Sequence, residues 1–434
     1  MVIAVATLVA VVIAAAWTLS PLTVAGGLVL LMICRRAVRD LRGRERGWVI
    51  GVLAVAVVAR LVVLAGVFLL TDPAREQFHA LIPDGQFAIR RSLMLLSLRS
   101  GETIGPWFAF RVFDSYDGHA YNVFLAAVQW FSGPSPYALV MISVCAFIAA
   151  SLLLFSLMRP ALGPRPALAG LAVLLFWPTW FVWSVSMLKE APVLLLSAIV
   201  VWGGLRLRDG NQSRLAALAA TAAGLAGLYL LRDGVAAIPA VGSAIGLIAV
   251  PTLRRSVASV ALVAASVLLV IVVATRPSVQ ALVAAQVRAA ASRHIGHVMT
   301  VGSGYKVADA RFYVGWPEAP GTMQFEEGVR FLIRATAAFV LVPLPWQLQS
   351  PAALGFLPEQ LAWYALVALA LPGVWYGIRR SPQLTMALAG CCVAGVAVIA
   401  PNSGNIGTLI RHRDMVVPFL VWLSSAGAER MARG

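Results

Sequence analysis

Charge is what this sequence has least of: 12% of its 434 residues are Asp, Glu, Lys or Arg, roughly half the share of an ordinary soluble domain. Hydrophobic residues make up 60%, and the mean hydropathy is +0.86. That excess runs along the whole chain, so a soluble enzyme is excluded, and so is a soluble domain on a single anchor. Lysine is nearly missing, with only Lys189 and Lys306 among 34 basic residues. The four cysteines (Cys34, Cys145, Cys391, Cys392) all lie in apolar stretches without metal-ligand spacing. A disulfide framework and a structural zinc site are therefore not expected. No Rossmann or P-loop glycine pattern appears, no repeat of fixed period, and no low-complexity segment. No basic n-region precedes the first apolar stretch, which argues against a cleaved signal peptide.

What is there is a net charge of +16 and a pI near 10.9. Such a balance often points to nucleic acid, but here the arginines sit between apolar runs, where membrane topology explains them. The expected fold class is all-α: a polytopic membrane protein with about 11–12 transmembrane helices, each near 20 apolar residues, and juxtamembrane helices on the outer face. Candidate spans lie at about 50–70, 137–158, 167–186, 191–205, 215–231, 235–250, 256–275, 360–378, 383–400 and 411–427. Met1 to Cys34 is one long apolar run interrupted by Ser20-Pro21, to be read as one kinked or two short spans.

Arginine sets the orientation. Arg35–Arg46 carries six Arg, and threading the spans from there puts seventeen basic against four acidic residues on the cytoplasmic side. Four parts follow: 1–49, the N-terminal membrane segment with a basic cytoplasmic loop; 50–275, a transmembrane module with a first outer loop at 71–136; 276–359, a second outer loop; and 360–434, C-terminal transmembrane helices. Tyr121–Phe131 and Phe331–Val342 are apolar but too short to cross, and read as interfacial elements. Two large outer loops suggest chemistry at the outer surface.

The residues that could carry that chemistry sit at outer helix ends. Asp84, in Ile82-Pro-Asp-Gly-Gln-Phe87, precedes an interfacial helix with Arg90, Arg91 and Arg99; it is either a helix cap or an acid at head-group depth. Lys189-Glu190 lies before Pro192 in a tight turn between apolar runs, as an ion pair or a site. Pro401–Thr408, with Asn405, leads into Arg411-His412-Arg413-Asp414. Glycines there can converge backbone N–H groups on an anion, and the arginine forks suit phosphate oxygens of a substrate or of a phospholipid. Arg60, within a span, must face the bundle interior or snorkel, with packing the more ordinary role. Asp114, Asp117 and His119 are donor types for a divalent metal, and the sequence leaves that metal open. His294 and His297, three apart on a helix, are ligand types that are more often solvated. Arg232-Asp233 reads as a structural helix end.

This pattern resembles the GT-C superfamily of polyprenyl-phosphate-dependent glycosyltransferases, which includes the protein O-mannosyltransferases and the aminoarabinose transferase for lipid A. Their first outer loop carries an acid, often in an Asp-x-x-x-aromatic pattern opening a juxtamembrane helix, to which Asp84-Gly-Gln-Phe87 is similar. Gly133-Pro-Ser-Pro136 resembles their approach to the next span. Phe176-Trp-Pro-Thr-Trp-Phe-Val-Trp-Ser184, followed by Lys189-Glu190, resembles their aromatic run ending in a charged turn, and Arg60 matches an arginine common in the span before the first loop. The likeness covers roughly 50–275. Many relatives carry an Asp-Glu or Asp-x-Asp pair where Asp84 is followed by Gly85.

The resemblance implies an inverting glycosyltransferase of a bacterial inner membrane. It would take a sugar from a polyprenyl-phosphate donor to a lipid, polysaccharide or protein acceptor of the cell envelope, among membrane lipids and without nucleic acid. Asp84 would be the general base, and Glu190 with Lys189 would orient acceptor or sugar. Arg411, His412 and Arg413 would hold the departing phosphate, with Asn405 and Arg60 as further binding residues. Asp84, Glu190 and Arg411–Arg413 are expected to line one outward cavity. A lipid-linked-oligosaccharide transporter or assembly subunit, and an O-antigen polymerase or ligase, are the alternatives.

Overall fold

The computed structural model describes residues 20–70, 83–102, 105, 119–133, 136–207, 214–232, 234–253, 268, 272, 275–300, 303–347 and 354–433. Their regular structure is helical, with short 3-10 turns and one isolated β-bridge between Gly304 and Asn405. In chain order the helices are α1 (Pro21–Val38), α2 (Gly43–Leu70), α3 (Pro83–Arg99), α4 (His119–Ser132), α5 (Pro136–Leu162), α6 (Pro164–Phe176), α7 (Pro178–Ser184), α8 (Glu190–Arg206) and α9 (Arg214–Leu231). Then follow α10 (Ala237–Leu253), α11 (Pro277–Thr300), α12 (Ala310–Val314), α13 (Phe325–Leu341), α14 (Leu357–Arg380), α15 (Pro382–Ile399), α16 (Ile406–Arg413) and α17 (Val417–Arg433).

Six helices among the described residues are long and apolar enough to cross a membrane: α1, α2, α5, α9, α14 and α15. The pair α6–α7 makes a seventh if counted as one span, although it bends by 61°. The sequence reading treats 167–186 as unbroken. Pro178 breaks it, because proline has no N–H to continue the helix and its ring clashes with the preceding turn. Helices α8, α10 and α17 have 17 residues each, about 25 Å of helix against an apolar core of roughly 30 Å. The expected span at 256–275 lies almost wholly outside the described residues. At the N-terminus, the Ser20 hydroxyl accepts from Leu22 N at 3.2 Å and Pro21 opens α1, so Ser20-Pro21 starts a helix.

The two short apolar stretches are amphipathic helices. In α4 the buried face carries Tyr121, Asn122, Leu125, Ala126 and Gln129, while Phe124, Trp130 and Phe131 are exposed. That is the reverse of a soluble amphipathic helix, and it suits an interface where the outward face meets lipid. Gln129 Nε2 donates to Ser92 Oγ at 2.7 Å, tying α4 to α3. Helix α13 starts with a capping box between Gln324 and Glu327 and buries Gly328, Phe331, Ala335, Ala338 and Phe339. Its other face bears Arg330 and Arg334, which pair with Asp309.

The chain divides into two compact units. The first comprises residues 1–157, 171–199 and 222–236, and the second 158–170, 200–221 and 237–434. In the second, Arg380 Nη1 donates to Leu162 O at 3.1 Å and Gln383 Nε2 to Leu205 O at 3.3 Å. The Arg-rich ends of α5, α8 and α14 thus meet at one end of that unit. Helices α14 and α17 cross so closely that a β-carbon on Gly373 would overlap the Leu423 carbonyl, and one on Gly427 the Leu369 carbonyl. Small residues let helix backbones approach this closely, which is how helices associate in lipid. Gly373→Ala should therefore lower stability by about 1–3 kcal/mol through overpacking. Thermal unfolding of the detergent-solubilised protein checks this, with Gly321→Ala as the control, since a β-carbon at Gly321 meets nothing within 4 Å.

Candidate functional site

The first unit gathers several of the expected residues. Arg60 is fully buried. Its Nε donates to Ser184 Oγ at 2.7 Å, Nη1 to Ala56 O at 2.9 Å and Nη2 to Leu175 O at 2.8 Å. The rings of Phe147 and Phe181 flank the guanidinium at 4.8 and 4.7 Å. Arg60 therefore faces the interior and is spent on the protein itself, fixing Ser184 at the end of α7. From there a turn, buried over 185–188, leads into α8.

Glu190 opens α8, with its side chain 2% exposed, and Arg232 Nη1 lies 3.5 Å from its Oε1. Arg232 follows the last residue of α9, so an arginine expected to be only a helix end joins the acid across the ends of two helices. Lys189 is half-buried, and its carbonyl accepts from Val193 N at 2.9 Å. Two further elements reach this turn. The Tyr121 hydroxyl donates to Leu188 O at 3.3 Å, and burial with the nearby Glu190 charge pushes its phenol well above the usual range. Gly85 is buried against Met187: a β-carbon built on it would stand 3.5 Å from the Met187 amide nitrogen. Asp84 is the second residue of α3. The start of α3 and the turn before Glu190 are thus neighbours. Sequence reasoning missed Tyr121, although polar residues at 121, 122 and 129 on one helical face were a visible signal.

The second unit contains the other candidate run. Residues 402–406 are held by the second outer loop. His294 Nδ1 lies 2.6 Å from Ser403 O, His297 Nδ1 lies 3.1 Å from Asn402 O, and Arg293 Nη1 donates to Asn402 Oδ1 at 2.8 Å. Tyr305 N donates to Gly404 O and Ile406 N to Ser303 O, both at 3.0 Å. Gly404 packs so tightly that a β-carbon there would overlap the His294 carbonyl. The expected glycine concavity is therefore a clamped connection. Asn405 caps α16 by accepting from Thr408 N at 2.7 Å. His294 and His297 are buried and half-buried rather than solvated.

Along α16, Arg411 is partly exposed while His412, Arg413 and Asp414 are buried. His412 Nδ1 lies 2.6 Å from Ser403 Oγ. Arg413 donates from Nε to Phe339 O and from Nη1 to Gln360 Oε1, each at 2.7 Å, and from Nη2 to Val342 O. The Trp363 ring stands 4.9 Å from its guanidinium. Arg413 thus caps the C-terminus of α13, where carbonyls lack helical partners. No group of three or more His, Cys, Asp or Glu that could hold a metal occurs among the described residues. Asp114 and Asp117 lie outside them, and His119 opens α4.

Burial holds His294 at a pKa of about 4. A carbonyl can only accept, so Nδ1 carries the proton and Nε2 faces the Tyr313 hydroxyl at 3.4 Å. The folded form stays neutral where an unfolded histidine, with a pKa near 6.5, takes up a proton. Stability from this contact is therefore complete above about pH 6.5 and is lost as pH falls toward 4. Hydrogen exchange over 402–414 should accelerate across that window, and His294→Gln should abolish that pH dependence.

Residues 121–277 match the family model described as dolichyl-phosphate-mannose-protein mannosyltransferase. The matched segment begins at Tyr121 and takes in Arg232 and the Met187–Glu190 turn; Asp84 and Arg411 lie outside it. No curated protein and no solved structure matches the chain. Over that segment the chain is similar to a glycosyltransferase family of the GT-C type, and its apolar helices make it a multi-pass membrane protein.

Proposed function

We propose that the protein transfers a sugar from a polyprenyl-phosphate donor to a hydroxyl of a cell-envelope acceptor, with inversion, at the outer face of a bacterial inner membrane. The observation that carries this reading is the meeting of the α3 start, Tyr121 and the Arg232–Glu190 pair around the Met187–Leu188 turn, within or beside the family-matched segment. Asp84 takes the proton of the acceptor hydroxyl, whose oxygen attacks the anomeric carbon. The bond from that carbon to the phosphate oxygen breaks, and polyprenyl phosphate leaves with the electron pair. Glu190 and Lys189 orient the sugar or the acceptor.

Arg411, His412 and Arg413, with Asn405, are assigned the departing phosphate. Arg411 is the exposed contact; Asn405 and Arg413 act from behind, since their bonds fix the segment that presents it. Arg60 acts in the same indirect way, through Ser184.

Donor affinity and single-turnover transfer, measured with dolichyl-phosphate mannose, separate these roles. Arg411→Ala should weaken donor binding by roughly ten- to a hundred-fold, the effect of losing about 1.5–3 kcal/mol of charged hydrogen bonding. Asp84→Asn should leave binding nearly intact and cut transfer by about 10²–10⁴. Transfer by Asp84→Asn at the unmodified rate would make Asp84 a helix cap. A protein that binds the donor and never transfers would be the transporter or assembly subunit instead.

A further inference from the structure

A carboxylate that is 2% exposed does not stay ionised unaided. Without a cation or several hydrogen bonds it takes up a proton. Glu190 stands at the head of α8, where the helix dipole favours negative charge only modestly. The group that meets it from another element is Arg232, with its guanidinium nitrogen at 3.5 Å. Arg232 is itself well anchored: its amide donates to Leu228 O at 2.8 Å, continuing the last turn of α9, and its carbonyl accepts from Val235 N at 3.4 Å. Its side chain is 24% exposed, so the cation reaches the protein surface while the acid does not. An ion pair serving stability alone gains little from burying one partner this far, because the desolvation cost offsets the attraction.

We propose that Arg232 is a positioning residue for Glu190, holding the buried carboxylate ionised and fixed at the head of α8 for the transfer reaction. This rests on the reading of Glu190 as a group that orients sugar or acceptor. Tyr121, from α4, is a further ionisable group close to Glu190, and Lys189 is its neighbour in the chain. The phenol of Tyr121 stays neutral because burial raises its pKa, and Lys189 adds a second positive charge from the same turn. Arg232 differs from both in coming from a separate helix, so its distance from the acid depends on how α8 and α9 pack.

The test reads the Glu190 carboxyl directly, by infrared difference spectra of the detergent-solubilised protein against its Glu190→Gln variant, titrated over pH. Arg232→Gln should move the protonation midpoint of Glu190 up by about one pH unit, the lower end of the effect of a nearby opposite charge. Arg232→Lys should restore it. An unchanged midpoint in Arg232→Gln overturns the proposal. If Arg232→Gln does not fold, the double variant with Glu190→Gln should fold again, since the stranded charge is gone; failure of that rescue also overturns it. In parallel, the pH profile of transfer from dolichyl-phosphate mannose should lose its acid limb at correspondingly higher pH in Arg232→Gln. A shifted midpoint in a protein that transfers no sugar would sustain the Arg232–Glu190 assignment and reject the glycosyl-transfer reading. A shifted midpoint with an unmoved rate profile would reject the positioning role.

Discussion

The first unit hangs on one buried cation. A guanidinium inside a membrane helix costs roughly 2.5–3.5 kcal/mol on insertion scales. Arg60 offsets this with three hydrogen bonds to neutral acceptors and two aromatic faces. A hydrogen bond to a charged group contributes about 1.5–3 kcal/mol, so three of them are enough. What matters is where the acceptors lie. One is in its own helix, one is the Leu175 carbonyl at the end of α6, and one is the Ser184 hydroxyl at the end of α7. The Pro178 break frees carbonyls of α6 from their helical partners, and Arg60 satisfies one of them. The bend and the arginine explain each other. Ser184, held in turn through its own bond to Phe181 O at 2.7 Å, then sets where the Met187–Glu190 turn begins.

The second unit repeats this device with different residues. In a helix the Phe339 carbonyl would be met by the amide of residue 343, which is Pro343 and has no N–H. Arg413 supplies the missing donor, and its remaining nitrogens take Val342 O and Gln360 Oε1. In both units an apolar helix ends at a proline, and an arginine from a distant part of the chain closes the end. Each arginine looks like excess charge in the sequence and serves as a cross-link in the fold. A carbonyl suits this better than a carboxylate would, because it accepts the guanidinium without bringing a second charge that must be desolvated.

That distinction sets what was legible from the sequence. The helices over 50–70, 137–158, 360–378 and 383–400 follow from apolar length, and arginine bookkeeping groups the ends of α5, α8 and α14 that the structure joins. The interfacial character of 121–131 follows from its length alone. The break at Trp177-Pro178 had a clear local cause, but an uninterrupted apolar run of about 20 residues outweighed it. His294 and His297, three apart on a helix, looked solvated because nothing local shows their partners. The Ser403 and Asn402 carbonyls and the Phe331 ring reach them from distant parts of the chain. The partners of Arg232 and Arg413 were not legible for the same reason: periodicity says which face a residue occupies and nothing about which helix faces it. Tyr121 is the exception, since the polar stripe on an otherwise apolar helix could have been read directly.

The arrangement also bears on how two acids at one surface could divide the work. Asp84 and Glu190 both stand in the first turn of a helix, where the dipole favours the ionised form. Glu190 also has Arg232 at 3.5 Å, and a carboxylate paired with a cation is the poorer acceptor of protons. It is better suited to hold hydroxyls by accepting their hydrogen bonds. In the proposed division of labour, removal of the acceptor proton falls to Asp84, since a base gains from a pKa nearer the working pH. Separate environments for two carboxylates are how one site assigns them separate tasks. In the proposed reaction the proton need not be fully removed before attack. As the sugar–phosphate bond lengthens, the attacking oxygen becomes positive and its proton more acidic, so even a weakly basic Asp84 can take it late. The same logic asks most of the group that stabilises the leaving phosphate, which is the task assigned to Arg411.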